Sequence, residues 1–283
     1  MENKKQARPP RTVPIKSDAF ECRDETAVYW LGEAGVLINS RGTIILIDPV
    51  ICRIPDSIMP GHGWFSEVNA NRFLIDLPID APHIERLDAV LYTHSDDDHM
   101  GMLTAPMLRS TGCAYHATAE TARKLTDLGV PDTRIHVHPK LDHFKVGCVE
   151  VVMTIANHPW QSSVPEAFDG WHYTQDDCTG YKLVTPDGVL WVPGDSLLMD
   201  EHLQNQDVNL MFIDFSNDPF HFGTENAIRL ANALPQTQMV AYHWGTLDMP
   251  DFLPQNADPY TARAFIDRPE RLHILAAGEK YVL

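Results

Sequence analysis

No apolar run in this 283-residue chain approaches the ~20 residues needed to cross a bilayer, and no hydrophobic segment opens it. Basic residues are scarce: 22 Lys and Arg stand against 39 Asp and Glu, a formal net charge of -17. That balance argues against a nucleic-acid-binding surface, because phosphate neutralisation needs clustered cations. Cysteine is sparse and unpatterned. Cys22, Cys52, Cys113, Cys148 and Cys178 are odd in number and form no C-x-x-C pair, which excludes a zinc-finger spacing and a disulfide framework. These absences point to a cytoplasmic protein that acts on a small molecule, with neither membrane nor nucleic acid as a partner; a homo-oligomer stays open.

The stretch that carries chemistry is Tyr92-Thr-His-Ser-Asp-Asp-Asp-His-Met-Gly101. It places His94, Asp96, Asp97, Asp98 and His99 on a loop between an apolar run, Leu87 to Tyr92, and the start of a helix over Met100 to Leu108. Side chains on a strand-to-helix loop can converge on one point while the scaffold fixes their directions. Taken alone, the stretch also reads as a solvated acidic turn or a helix cap, since Asp is favoured there. So many like charges repel one another unless a cation sits among them, and a metal pair is the simplest resolution.

The rest of the chain repeats one grammar: an apolar strand ends and a His or Asp follows at once. Residues 27–31, 36–39 and 43–48 read as an antiparallel meander closed by Asp48-Pro49, where Asp48 either caps the turn or serves as an acceptor behind the metals, the cap being favoured. Residues 149–155 lead to His158, 189–192 to Gly194-Asp195, and 238–242 to His243. Strands are also expected at 113–117, 134–138, 180–185, 208–215, 273–275 and 280–283, and helices at 118–128, 224–234 and 259–267. Residues 52–80, rich in Pro, Gly and aromatics, read as a long excursion with one helix over 67–77 and with His62 within reach of the pocket. Strands then helix, twice over, predict an α/β protein: two facing β-sheets with helices outside, an αβ/βα sandwich. Residues 1–26 form a basic, flexible N-terminal arm, and 27–283 a single domain.

The segment His94-x-Asp96-x-Asp98-His99, followed by His158, Asp195 and His243, resembles the metallo-β-lactamase superfamily, whose signature is H-x-H-x-D-H, a distant His, an Asp in a Gly-Asp turn and a last His. Trp30-Leu-Gly-Glu-Ala-Gly35, Gly180-Tyr-Lys182, Pro193-Gly-Asp-Ser196 and His243-Trp-Gly-Thr246 are similar to the branch containing L-ascorbate-6-phosphate lactonase, and more distantly to N-acyl-phosphatidylethanolamine phospholipase D. The resemblance implies a four-layer sandwich with two divalent metals, zinc or manganese foremost and iron as the alternative. It implies His94, Asp96 and His158 at the first metal, Asp98, His99 and His243 at the second, and Asp195 bridging. A hydroxide activated by the pair would open a lactone or cleave another ester, with Asp98 as the catalytic residue steering the nucleophile or passing on its proton.

The departure is Asp96, where the family usually has His. A carboxylate hardens the site and moves its preference from zinc toward manganese or iron. Superfamily members with a carboxylate there include the flavodiiron proteins, so a di-iron or manganese oxidoreductase is the alternative function, and a phosphodiesterase the second alternative. A catalytically weak binding protein that uses the pocket as a sensor is disfavoured because all seven ligand positions carry competent donors. His221, before a helix, lines the pocket or makes a local turn contact. His172 and Asp177, on the loop before the Gly180 strand, are the other candidate substrate contacts.

Overall fold

A computed structural model describes residues 6–52, 73–163, 171–247 and 258–283. Strands β1 (Thr26–Gly32), β2 (Gly35–Ser40) and β3 (Thr43–Ile47) form the expected antiparallel meander, with Tyr29 opposite Leu37 and Ile38 opposite Ile45. Strands β4 (Ala89–Leu91), β5 (Ala114–Ala117) and β6 (Ile135–Val137) then add in parallel. The second sheet repeats the plan. Strands β7 (His143–Val146), β8 (Val149–Thr154), β9 (Gly180–Thr185) and β10 (Gly188–Val192) pair antiparallel; β11 (Leu210–Ile213), β12 (Gln238–Ala241) and β13 (Leu272–His273) follow in parallel. The terminal β14 (Lys280–Val282) crosses back to pair with β1, so each sheet has seven strands.

Helices α1 (Thr104–Leu108), α2 (Ala119–Asp127), α3 (Trp160–Ser163), α4 (Thr224–Ala233) and α5 (Pro259–Ala262) complete the α/β architecture. Alternation along the strands explains the layering. On β1, Val28 and Trp30 enter the core shared with the second sheet, whereas Ala27, Tyr29 and Leu31 pack on the other face with Leu108 and Leu125 from α1 and α2. A strand buried on both faces must be apolar at every position, which is why the runs read as continuous hydrophobic stretches.

Several elements differ from expectation; the strand expected over 208–215 spans Leu210–Ile213, that over 273–275 spans Leu272–His273, and Trp160–Ser163 form a short helix where a loop is expected. The helix expected from Met100 starts at Thr104, because the Met100 amide bonds back to Asp96 O in a turn. The last helix is a short α-helical turn followed by a 3-10 turn over Arg263–Phe265. Strand β7, a short polar hairpin partner of β8, was not anticipated. The helix expected over 67–77 and His62 fall largely or wholly outside the described residues. Of the N-terminal arm, residues 6–16 run along the domain: Val13 N donates to Ala277 O (2.8 Å), Ile15 N to Pro78 O (2.9 Å) and Gln6 Nε2 to Leu247 O (2.5 Å).

The two sheets are tied together beneath the rim where strand ends meet. Tyr181 Oη donates to Tyr92 O (2.7 Å) and Thr179 N to Thr93 O (2.9 Å). Gly194 lies against this seam with φ +68, and a Cβ there would stand 2.7 Å from Thr179 O and 3.0 Å from Thr93 Cβ. Alanine at 194 therefore combines a disfavoured backbone conformation with a backbone clash. Gly194→Ala is expected to lower the unfolding free energy by about 2 kcal/mol or more, read as a shifted urea midpoint at unchanged slope.

Candidate metal centre

Every candidate ligand leaves the carboxyl end of a strand: Asp48 follows β3, His94 to His99 follow β4, His158 follows β8, Asp195 follows β10, and His243 follows β12. The loop after β4 is set by Asp48, which is fully buried and accepts from Thr93 N (2.8 Å), Thr93 Oγ1 (2.6 Å) and His99 Nδ1 (2.9 Å). Asp48 thus takes the role behind a ligand that the sequence ranked second. With Nδ1 committed, His99 presents Nε2 to the centre. His158 is fixed the same way, its Nδ1 donating to Phe220 O (3.1 Å).

Seven expected donors converge at one rim. Asp96 Oδ2 stands 3.3 Å from His94 Nε2 and 3.2 Å from His158 Nε2, His99 Nε2 is 3.2 Å from Asp195 Oδ1, and His243 Nε2 is 3.4 Å from Asp98 Oδ2. Donor atoms of His94, His158 and Asp195 lie within 4.8 Å of one another, as do those of Asp98, His99 and His243. A third group, Asp195, His221 and His243, overlaps both through shared members. The buried atoms His94 Nε2, Asp96 Oδ1, His99 Nε2, Asp195 Oδ1 and His243 Nε2 make no well-aligned hydrogen bond among the described residues, although the three nitrogens stand close to carboxylates. Buried polar atoms are seldom left so, and orphans pointing at a common space fit a pair of divalent cations.

His221 reaches the same rim. Its Nε2 lies 2.7 Å from Asp195 Oδ2 and its Nδ1 2.7 Å from Asp218 Oδ2, so the local turn contact and the pocket contact coexist. Asp177 turns back on its own loop, accepting from Thr174 N (2.9 Å) and Oγ1 (3.2 Å), and His172 is exposed. Three residues were not singled out from sequence. Gln161, on α3, donates to Asp96 Oδ2 (2.9 Å). Asp214, after β11, accepts from Ser216 N and Oγ. Glu33, after β1, brings its carboxylate to 4.0 Å from His243 Nε2. Asp214 and Glu33 obey the rule that ligands follow strands, which is the signal that would have found them.

Electrostatics in the metal-free protein follow from burial and from charge pairing. Burial pushes the Asp96 and Asp195 carboxyls up, but His94 and His158 at Asp96, and His221, His99 and His243 at Asp195, hold both well below the usual carboxylate range. Burial lowers His99 and His221, yet the carboxylates of Asp195 and Asp48, and of Asp195 and Asp218, raise them well above an ordinary imidazole. His243, buried but facing Asp195 and Asp98, rises to about 9. Burial raises Glu33 to about 7, with His243 opposing the shift.

Protons on these imidazoles balance the buried carboxylates, and a metal binding there would have to displace them. Apparent metal affinity should therefore climb with pH through about 9, where His243 deprotonates. Calorimetric titration at pH 7 in buffers of different ionisation enthalpy should show net proton release. For the metal-free chain the sign reverses: the raised His243 contributes stability that is complete below ~6.5 and lost as pH passes about 9. Separately, Asp48→Ala frees the His99 ring and should weaken metal binding ~10–100-fold in a competition titration with a chromophoric chelator.

Comparison with known proteins fits this geometry. The model of the beta-lactamase superfamily domain matches residues 43–244. A UPF0173 metal-dependent hydrolase of Nitratidesulfovibrio vulgaris (strain DP4) is 27% identical over 273 residues, covering 92% of this chain and 96% of that protein. Two solved structures share the fold. An isothiocyanate hydrolase from Delia radicum gut bacteria has a TM-score of 0.68 at 17% identity, covering 91% of this chain and 100% of its own. CmlA, a diiron beta-hydroxylase from Streptomyces venezuelae, has a TM-score of 0.62 at 17% identity, covering 92% of this chain and 54% of its own. With the family model spanning well over half of its length, and with its two seven-stranded sheets and outer helices, the chain belongs to the beta-lactamase superfamily domain family and has the metallo-β-lactamase fold.

Proposed function

We propose that the protein is a metal-dependent hydrolase that opens a lactone or cleaves another ester of a small polar molecule, using two divalent metals. The observation that carries this reading is the set of orphaned imidazole nitrogens and carboxylate oxygens at the rim. The curated relative bears a metal-dependent hydrolase name over nearly the whole chain, which supports the reaction class. His94, Asp96 and His158 would hold one metal, Asp98, His99 and His243 the other, with Asp195 between them. The chemistry such a pair would supply there is activation of a water and Lewis-acid polarisation of the scissile carbonyl.

The protein's own residues do the rest. Asp98 is the most solvent-open of the donors, its side chain 22% exposed where those of His99 and Asp195 are 0% and 3%, so it is the donor placed to exchange a proton with an entering substrate. His221, oriented by Asp218, fixes one oxygen of Asp195. Phe220 lies edge-on to His158 and offers apolar surface next to the donors, while Trp160 and Trp171 pack on the neighbouring cluster of Ala156, Tyr173 and Cys178. The buried carboxylates Glu33, Asp214 and Asp218 surround the centre with negative charge, which suits an uncharged ester better than a phosphodiester anion.

A second reading, a di-iron or manganese oxidoreductase, is favoured by one feature: the carboxylate Asp96 among the donors, together with a shared fold in a diiron beta-hydroxylase. Elemental analysis of protein purified without chelators separates the two. About two equivalents of zinc or manganese are expected, with turnover of neutral lactones and esters exceeding that of phosphodiesters. Chelation should abolish that turnover, and Asp98→Asn should lower kcat by ~10²–10⁴-fold. Stoichiometric iron with an oxygen-sensitive spectrum and no esterase activity would overturn the hydrolase reading.

A further inference from the structure

Given the two-metal reading above, we infer that Glu33 is a further ligand of the second metal, joining Asp98, His99 and His243. Its main chain is locked to the loop that carries His243. Glu33 O accepts from His243 N (2.9 Å) and from Trp30 Nε1 (2.7 Å), and Glu33 N donates to Thr246 Oγ1 (3.1 Å). These bonds hold Glu33 at φ +43, directly after Gly32 at φ +97. Such a conformation is unfavourable for a residue with a Cβ and persists only where its surroundings over-determine it. A turn of this kind needs no glutamate, and glycine or asparagine would occupy it with less strain.

The side chain gives the reason for a carboxylate. Glu33 is only 6% exposed, and no donor among the described residues hydrogen-bonds to its carboxylate. Its nearest recorded charged partner is His243 Nε2 at 4.0 Å, itself an orphaned atom. A packing role would call for an apolar residue, because burying a carboxylate without hydrogen bonds is strongly unfavourable. Two donors bound to one metal at ~2.1 Å lie between ~3.0 Å apart when adjacent and ~4.2 Å apart when opposite. The separations from His243 Nε2 to Asp98 (3.4 Å) and to Glu33 (4.0 Å) both fall in that interval.

The second site then holds two carboxylates and two imidazoles, and the first holds Asp96 with His94 and His158. Both are harder than a histidine-dominated zinc site, and Glu33 moves the second toward manganese or ferrous iron. The inference is open to a test that does not depend on turnover. Metal-free full-length protein is titrated with Mn²⁺ by calorimetry, with free Mn²⁺ followed by its electron paramagnetic resonance signal. Wild type is expected to bind two equivalents; Glu33→Gln is expected to keep the first unchanged and to lose affinity for the second by a factor of about 10 to 100. Glu33→Asp keeps the charge but shortens the reach, and should fall between the two, which also serves if the glutamine variant fails to fold. Both equivalents bound with wild-type affinity by either variant would overturn the assignment of Glu33 while leaving the two-metal reading intact. A single equivalent bound by wild type would overturn that reading and this assignment with it.

Discussion

Buried like charge is the constraint from which the rest of this structure follows. Asp96 and Asp195 are almost closed to solvent, Asp98 stands beside them, and Asp48, Asp214 and Glu33 are buried within the next layer. In a medium of low dielectric such a group is stable only with compensating cations. With no metal bound, the imidazolium forms of His99, His221 and His243 supply that charge; in the reading proposed above, His99 and His243 would become neutral ligands when divalent metals bind. One donor set thus admits two ways of balancing its charge, protons or metal ions.

The scaffold supplies this by topology. Antiparallel strands followed by parallel ones, repeated in the second sheet, bring the carboxyl ends of β4, β8, β10 and β12 to one rim. Asp48 is the pivot on the first sheet: one carboxylate holds the Thr93 backbone, the Thr93 hydroxyl and the His99 ring, so the loop and the ligand it carries move together. The bonds from Tyr181 and Thr179 to the carbonyls of Tyr92 and Thr93 extend this order across the interface between the sheets.

Much of the fold was legible because it is local. Continuous apolar runs ending in His or Asp are visible one segment at a time, and the order of those segments carried the resemblance to the superfamily. What escaped reading is what depends on long-range contact. Asp48 looked like a turn residue because its partner His99 lies 51 positions away. Gln161 sits in a polar stretch with no distinguishing neighbour, yet it meets Asp96 from 65 positions away. Glu33 carries no signal of its own in the sequence, since nothing local separates a glutamate in a tight turn from a solvated one. His172 and Asp177 were singled out by composition, and the loop directs one to solvent and the other to its own cap. Strand β7 was missed because an edge strand whose residues are mostly exposed has no hydrophobic period to show.

The division of ligands between the two sheets has a consequence for how the molecule comes together. Each proposed triad draws on both halves of the chain: His94 and Asp96 follow a strand of the first sheet and His158 one of the second, and Asp98 and His99 follow a strand of the first and His243 one of the second. Neither half alone offers a complete cage, so a cation arriving early finds only a partial, solvent-open set of donors. High-affinity capture has to wait until the sheets have docked. In that reading a captured ion would act as a rivet across the interface, so that metal release and separation of the two halves would be thermodynamically linked.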